Sequence, residues 1–174
     1  MARIRKFIAY RRLERPYTRL SKYKNLNFVR SRPASVLVKF DLGELNKDFP
    51  YKFELISKDQ LQIRHNALES ARMTCNRALE KFIGKTGWKL KVNVYPHHIL
   101  RENPLASGAG ADRMSTGMQK SFGKNISSAA RIFKGQRMMT VWTTKPHLPT
   151  AKLALERAGK KLPCSVLIKV TEKK

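Results

Sequence analysis

Three stretches of the chain gather residue types that could do chemistry. The run Ser107-Gly-Ala-Gly-Ala-Asp112-Arg113 sets two glycines beside an acid and a guanidinium. Glycines there permit close backbone approach to a phosphate or a base, and free amides can cradle an anion. Spacing rules out the familiar nucleotide loops. Gly108 and Gly110 lack a third glycine at position 113, so there is no dinucleotide fingerprint. Gly117 to Gly123 encloses five residues rather than four, and Asn125 follows Lys124, so there is no phosphate-binding P-loop. A plain flexible linker has the same composition. His97-His98 is the second stretch, but neighbours on a strand point to opposite faces and cannot easily share a metal; phosphate contact or strand-end packing is the expectation. The third stretch is the N-terminus, where Phe7, Tyr10, Tyr17, Tyr23 and Phe28 are interleaved with basic residues. Cations there would neutralise phosphates, and aromatic faces would stack on unpaired bases.

No paired carboxylates, Ser/His/Asp set or C-x-x-C pair accompanies them, so neither an enzyme, a metal site nor a cofactor is expected. Asp112 could lock Arg113 or a loop amide, or simply form a turn. Met114, Met118, Met138 and Met139 read as gap-fillers, and Trp88 and Trp142 as core anchors. Cys75 and Cys164 stand in apolar contexts, as small buried hydrophobes of a reducing compartment, by default the cytoplasm.

Charge narrows the partner. The 37 Lys and Arg residues face 12 acids, for a net charge of +25. Residues 1–32 carry 11 bases and the single acid Glu14, residues 33–84 carry 8 bases and 7 acids, and residues 85–174 carry 18 bases and 4 acids. Such a chain repels itself unless it lies against a polyanion, with nucleic acid the leading candidate and the near-neutral block as an outward face. Apolar residues at 41% oppose wholesale disorder. No run approaches the ~18 apolar residues of a membrane span. Met1–Arg12 lacks a secretory apolar core; it is Arg-rich like a transit peptide but Ser-poor.

The elements that must hold these stretches are mostly periodic. Residues 1–34 show no sustained period and read as an extended basic arm, followed by a single α+β domain over 35–174. Val36, Val38 and Phe40 alternate with Leu37, Lys39 and Asp41 as a half-buried strand. Tyr51, Phe53 and Leu55 form another. Leu68, Ala71, Cys75, Ala78, Leu79 and Phe82 recur at helical steps, with Gly84 and Gly87 as terminators. Trp88, Leu90, Val92 and Val94 alternate as a strand up to Pro96, and His98–Arg101 extends one into a flexible Gly-rich loop, 102–124. Ala129–Lys134 and Gln136–Trp142 read as strands around a turn at Gly135. A helix carries Leu148, Ala151, Leu155 and Ala158, and a strand carries Val166, Ile168 and Val170. The sheet is expected to be mixed and mostly antiparallel, with two main helices and many hairpin-linked neighbours.

The segments Tyr95-Pro-His-His-Ile-Leu-Arg101, Ala109-Gly-Ala-Asp-Arg-Met-Ser-Thr-Gly-Met118 and Phe122-Gly-Lys124 closely resemble the universal large-subunit ribosomal protein family called L sixteen in bacteria and L ten-e in archaea and eukaryotes. Ala67-Leu-Glu-Ser-Ala-Arg72, the strand after Trp88, Leu155-Glu-Arg-Ala158 and Pro163 continue the match. The basic arm and the lack of a long acidic tail look archaeal; eukaryotic members usually run on beyond the point matching Lys174.

The resemblance implies an α/β-hammerhead fold on large-subunit rRNA near the aminoacyl-tRNA site, with tRNA and neighbouring ribosomal proteins as partners, no membrane, and a cytoplasmic location. It implies a loop over 102–116 that approaches the peptidyl transferase centre, support for tRNA positioning and late subunit maturation, and no bond chemistry. On that basis Arg3, Arg5, Lys6, Arg11, Arg12, Arg15, Arg19, Lys22 and Lys24 are expected to grip rRNA. Arg101, Arg113, Lys120 and Lys124 would anchor the loop base, and Asn103, Ser107, Gly108, Gly110 and Asp112 would face tRNA. A free RNA chaperone or repressor is the alternative, and an RNA-modifying enzyme a third.

Overall fold

The computed structural model describes residues 5–13, 23, 31–102, 109 and 123–172. Two antiparallel sheets and two helices enclose one core. The strands are β1 (Asp41–Gly43), β2 (Tyr51–Ser57), β3 (Leu61–Arg64), β4 (Trp88–Val92), β5 (His98–Glu102), β6 (Lys124–Ile132), β7 (Arg137–Thr143) and β8 (Val166–Glu172). The helices are α1 (His65–Phe82) and α2 (Leu148–Gly159). A five-stranded sheet runs β1-β4-β7-β2-β8, and a three-stranded sheet runs β3-β6-β5. Every strand pair in both is antiparallel. This is an α+β fold, as the sequence periods imply.

Alternation along the strands divides the large sheet into two faces. Phe53 and Leu55 of β2, Leu90 and Val92 of β4, and Met139 and Val141 of β7 point inward and join Leu68, Ala71, Cys75, Leu79, Ala151, Ala154 and Leu155 of the helices in one core. Trp88 is 2% exposed and anchors that core, its indole N–H donating to the Gly84 carbonyl at 2.8 Å. Lys52, Lys89, Lys91 and Trp142 take the alternate positions of the same three strands. Trp142 is therefore not a core anchor.

Helix α1 carries its apolar residues at the expected steps and stops at Phe82, with Gly84 at φ +99° just beyond. Phe82 itself is half exposed, beneath the Lys81 and Arg157 cations. Burial pushes the Cys75 thiol up to about 12, an unreactive state, whereas Cys164 is only half-buried.

Three expectations change. Residues 36–40 form no strand: Leu37 is the buried residue while Val38 is 74% exposed, and β1 starts only at Asp41. Strands β6 and β7 do meet at a turn containing Gly135, with φ +81°, but they belong to different sheets and do not pair. Among the consecutive strands described, only β5 and β6 pair with each other, so hairpins are not the rule here. Strand β3 was not expected at all. It runs directly into α1 and ties the smaller sheet into the common core through Leu61 and Ile63.

Candidate nucleic-acid interface

The outer face of the three-stranded sheet is built from the residues its pleat leaves over. Leu61 and Ile63 of β3 face the core, so Gln62 and Arg64 face away from it. Register sets Arg131 of β6 opposite Gln62, and Ala129 opposite both Arg64 and His98. The result is a basic row with one central amide.

That amide holds the N-terminal arm. Gln62 Nε2 donates to the carbonyls of Tyr10 at 3.2 Å and Arg12 at 2.7 Å, and the Gln62 backbone N–H donates to the Arg11 carbonyl at 3.1 Å. With both amide protons engaged, Gln62 Oε1 accepts from His98 Nδ1. Arg64 Nη1 donates to the Arg5 carbonyl at 2.9 Å. The arm segment Phe7–Tyr10 winds as a short 3₁₀ turn over this row. The end of the arm is fastened farther along, where Asn125 Nδ2 donates to Ser31 O at 2.9 Å; just past the arm, the Val36 N–H donates to His65 Nδ1 at 3.1 Å.

The buried histidines are therefore neutral. Burial, then the nearby charges of Arg131, His97 and Arg101, pushes His98 down to about 4. Burial and then Arg64 push His65 in the same direction, in keeping with its ring nitrogen accepting from Val36. The phosphate-contact reading of His98 does not survive: it is a buried strut of the arm's seat.

Strands β5 and β6 leave this face as a pair, with Glu102 registered opposite Lys124 and Arg101 opposite Asn125. Glu102 Oε1 accepts from Arg5 Nε at 2.9 Å. The start of the arm is thus tied to the point from which residues 103–123 depart. Of the residues expected to bind RNA, Arg5, Lys6, Arg11, Arg12, Arg101 and Lys124 are described and border this one face. Arg3, Arg15, Arg19, Lys22, Lys24, Asn103, Ser107, Gly108, Gly110, Asp112, Arg113 and Lys120 lie outside the described residues. Sequence reasoning missed Gln62, Arg64, Arg131 and Glu102. No local signal marks Gln62, because its partners are backbone carbonyls some fifty positions away in sequence.

Among the described residues there is no group of three or more His, Cys, Asp or Glu that could hold a metal, and no helix is long and apolar enough to cross a membrane. Fold and site together define a basic α+β binding protein whose arm is seated on the smaller sheet. The family described as Ribosomal protein L16p/L10e matches residues 14–169. A protein called large ribosomal subunit protein uL16 in Archaeoglobus fulgidus is 44% identical over 161 residues, covering 92% of this chain and 89% of that protein. Its namesake in Methanococcus aeolicus is 44% identical over 161 residues, covering 91% and 90%. The one in Methanococcus maripaludis is 42% identical over 165 residues, covering 95% and 92%. The chain belongs to the L16p/L10e family of ribosomal proteins. It is a ribosomal-RNA-binding protein of archaeal type.

Proposed function

We propose that this protein is a structural constituent of the large ribosomal subunit. Its arm grips large-subunit rRNA near the aminoacyl-tRNA site, and its 102–124 loop reaches towards the peptidyl transferase centre to help position tRNA. The observation that carries this reading is the Arg5–Glu102 ion pair at 2.9 Å, which joins arm and loop base at one place. A partly exposed pair of this kind adds at most ~1 kcal/mol of stability, so its value lies in geometry. RNA held by Arg11 and Arg12 would fix β3, and through the sheet would fix where the loop leaves β5 and β6. Names given to the relatives support the large subunit as the setting; neighbouring ribosomal proteins would be its partners there, in the cytoplasm. The free chaperone or repressor remains the rival, and association with the subunit separates the two.

Because Glu102 and Lys124 are already paired, residues 103–123 can be replaced by a tight Asn-Gly turn without undoing β5 and β6. The expected outcome is a subunit that still incorporates the shortened protein but accommodates aminoacyl-tRNA more slowly. Accommodation at the normal rate on subunits containing the shortened protein would refute the loop's role.

A further inference from the structure

The face of the large sheet that no described element covers is not an ordinary solvated surface. Trp142 of β7 is registered directly between Lys52 of β2 and Lys89 of β4, and Lys89 Nζ lies 5.7 Å from the indole centre. One row along, Lys91 and Glu54 flank Thr140, and Lys169 of β8 is registered beyond Glu54. An open groove of about 800 Å³ runs along Lys52, Lys89, Lys91, Thr140 and Trp142 to Asn93 and Arg137.

The acids in this face organise the cations and do not cancel them. Glu54 is nearly buried and accepts from both Lys52 and Arg137, the latter at 3.1 Å. Burial raises its carboxyl's pKa, but the hydrogen bonds and charges of Lys52 and Arg137 together outweigh burial and hold it below the usual range. Asp41 lies 3.9 Å from Lys91. On the strands themselves Lys52, Lys89, Lys91, Arg137 and Lys169 outnumber Glu54 and Asp41 around a half-buried tryptophan, while Asp48 and Glu172 border Lys52 and Trp142 at one edge. Fixed cations beside an aromatic ring on a flat sheet suit a strand of unpaired nucleotides: the phosphates meet the cations and a base meets the ring. A duplex keeps its bases stacked inside and could use only the charge.

We propose that this face is a second RNA-contact surface, separate from the arm's seat, which takes an unpaired RNA stretch with a base against Trp142 and phosphates on Lys52, Lys91 and Arg137. The proposal rests on the RNA-binding role of the family and adds a place and a mode of contact. The alternative occupant, an acidic segment of a neighbouring protein, would use the cations but has no need of the ring.

The two tryptophans make the test site-specific, since Trp88 is buried and reports only on folding. The full chain is titrated with a labelled 12-nucleotide unpaired RNA, reading label anisotropy for total binding and tryptophan emission for this face. The expected result is quenching by the RNA that disappears in Trp142→Phe, while anisotropy still reports binding through the arm. In a Lys52→Ala/Lys91→Ala variant the quenching midpoint should rise about tenfold, and its salt slope should fall by ~1.4 for two lost single-strand phosphate contacts. Binding by anisotropy with no Trp142-dependent quenching would overturn the surface and leave the arm's role intact. No RNA binding at all would overturn the RNA-binding reading as well. Equal quenching by a 12-base-pair duplex would refute stacking, and quenching by a 12-residue polyglutamate but not by RNA would assign the face to a protein partner.

Discussion

Replacing Gln62 with Leu should release the arm from the smaller sheet. Leucine matches the size of glutamine but removes the two side-chain bonds to Tyr10 O and Arg12 O and the acceptor for His98. Each lost arm bond costs about 1 kcal/mol net, because the freed carbonyls return to water. The buried His98 N–H loses this acceptor in place and adds ~1–3 kcal/mol. The total is about 3–5 kcal/mol, or a fall of ~6–20 °C in Tm for a chain of this size. About 2 kcal/mol of that is local, so the undocked arm should become ~30-fold more populated. Hydrogen exchange separates the two contributions. The Ala9 amide, bonded to Lys6 O within the 3₁₀ turn, should exchange ~30-fold faster, while amides in the middle of β7 follow only the global loss. A lowered Tm with unchanged exchange over residues 5–13 would refute the idea that Gln62 holds the arm.

Acid should weaken the fold before its carboxylates titrate. His98 is held near 4 against an ordinary 6.5, so between those values the unfolded chain takes up a proton that the fold refuses. Stability is then full above pH 6.5 and falls by about 2 kcal/mol between pH 7.5 and pH 5, with His65 adding in the same direction. Urea melts at the two pH values measure this; a His98→Gln variant should lose most of the difference, and an unchanged difference would contradict the assignment. At Gly43, φ is +85° and an added Cβ would overlap the Trp88 carbonyl. Gly43→Ala should cost ~2–4 kcal/mol in denaturant unfolding and loosen β1 from β4, whereas Gly84→Ala, with open space around it, should cost only ~1 kcal/mol.

How far the sequence could be read depended on distance along the chain. Helix α1 was legible because Leu68, Ala71, Cys75, Ala78 and Leu79 lie on one stripe whatever that stripe packs against. Strand β4 was legible for the same reason, with Trp88, Leu90 and Val92 inward. Alternation at 36–40 misled, because a period of two does not say which phase is buried or whether a partner strand lies alongside. Only from Phe40, whose carbonyl accepts from the Val92 N–H, and Asp41, opposite Lys91, does this stretch find its partner. Strand β3 is four residues with a polar centre, too short for a period, and its identity comes from pairing with β6. The same limit hid the arm's seat and the basic outer face of the large sheet. Lys89 and Lys91 were plainly the polar side of a strand, but their meeting with Lys52, Arg137 and Trp142 follows from the strand order β4-β7-β2. Loop and arm were legible as motif and charge, not as a joined unit: the Arg5–Glu102 pair spans 97 positions.

The central claim, residence in the large ribosomal subunit through an RNA-bound arm, is tested most directly by sedimenting the tagged protein from its own lysate on a gradient, before and after a high-salt wash. The account predicts near-stoichiometric migration with large subunits and complete ribosomes that survives moderate salt. A protein found mostly free, or spread over RNA of many sizes, would contradict it.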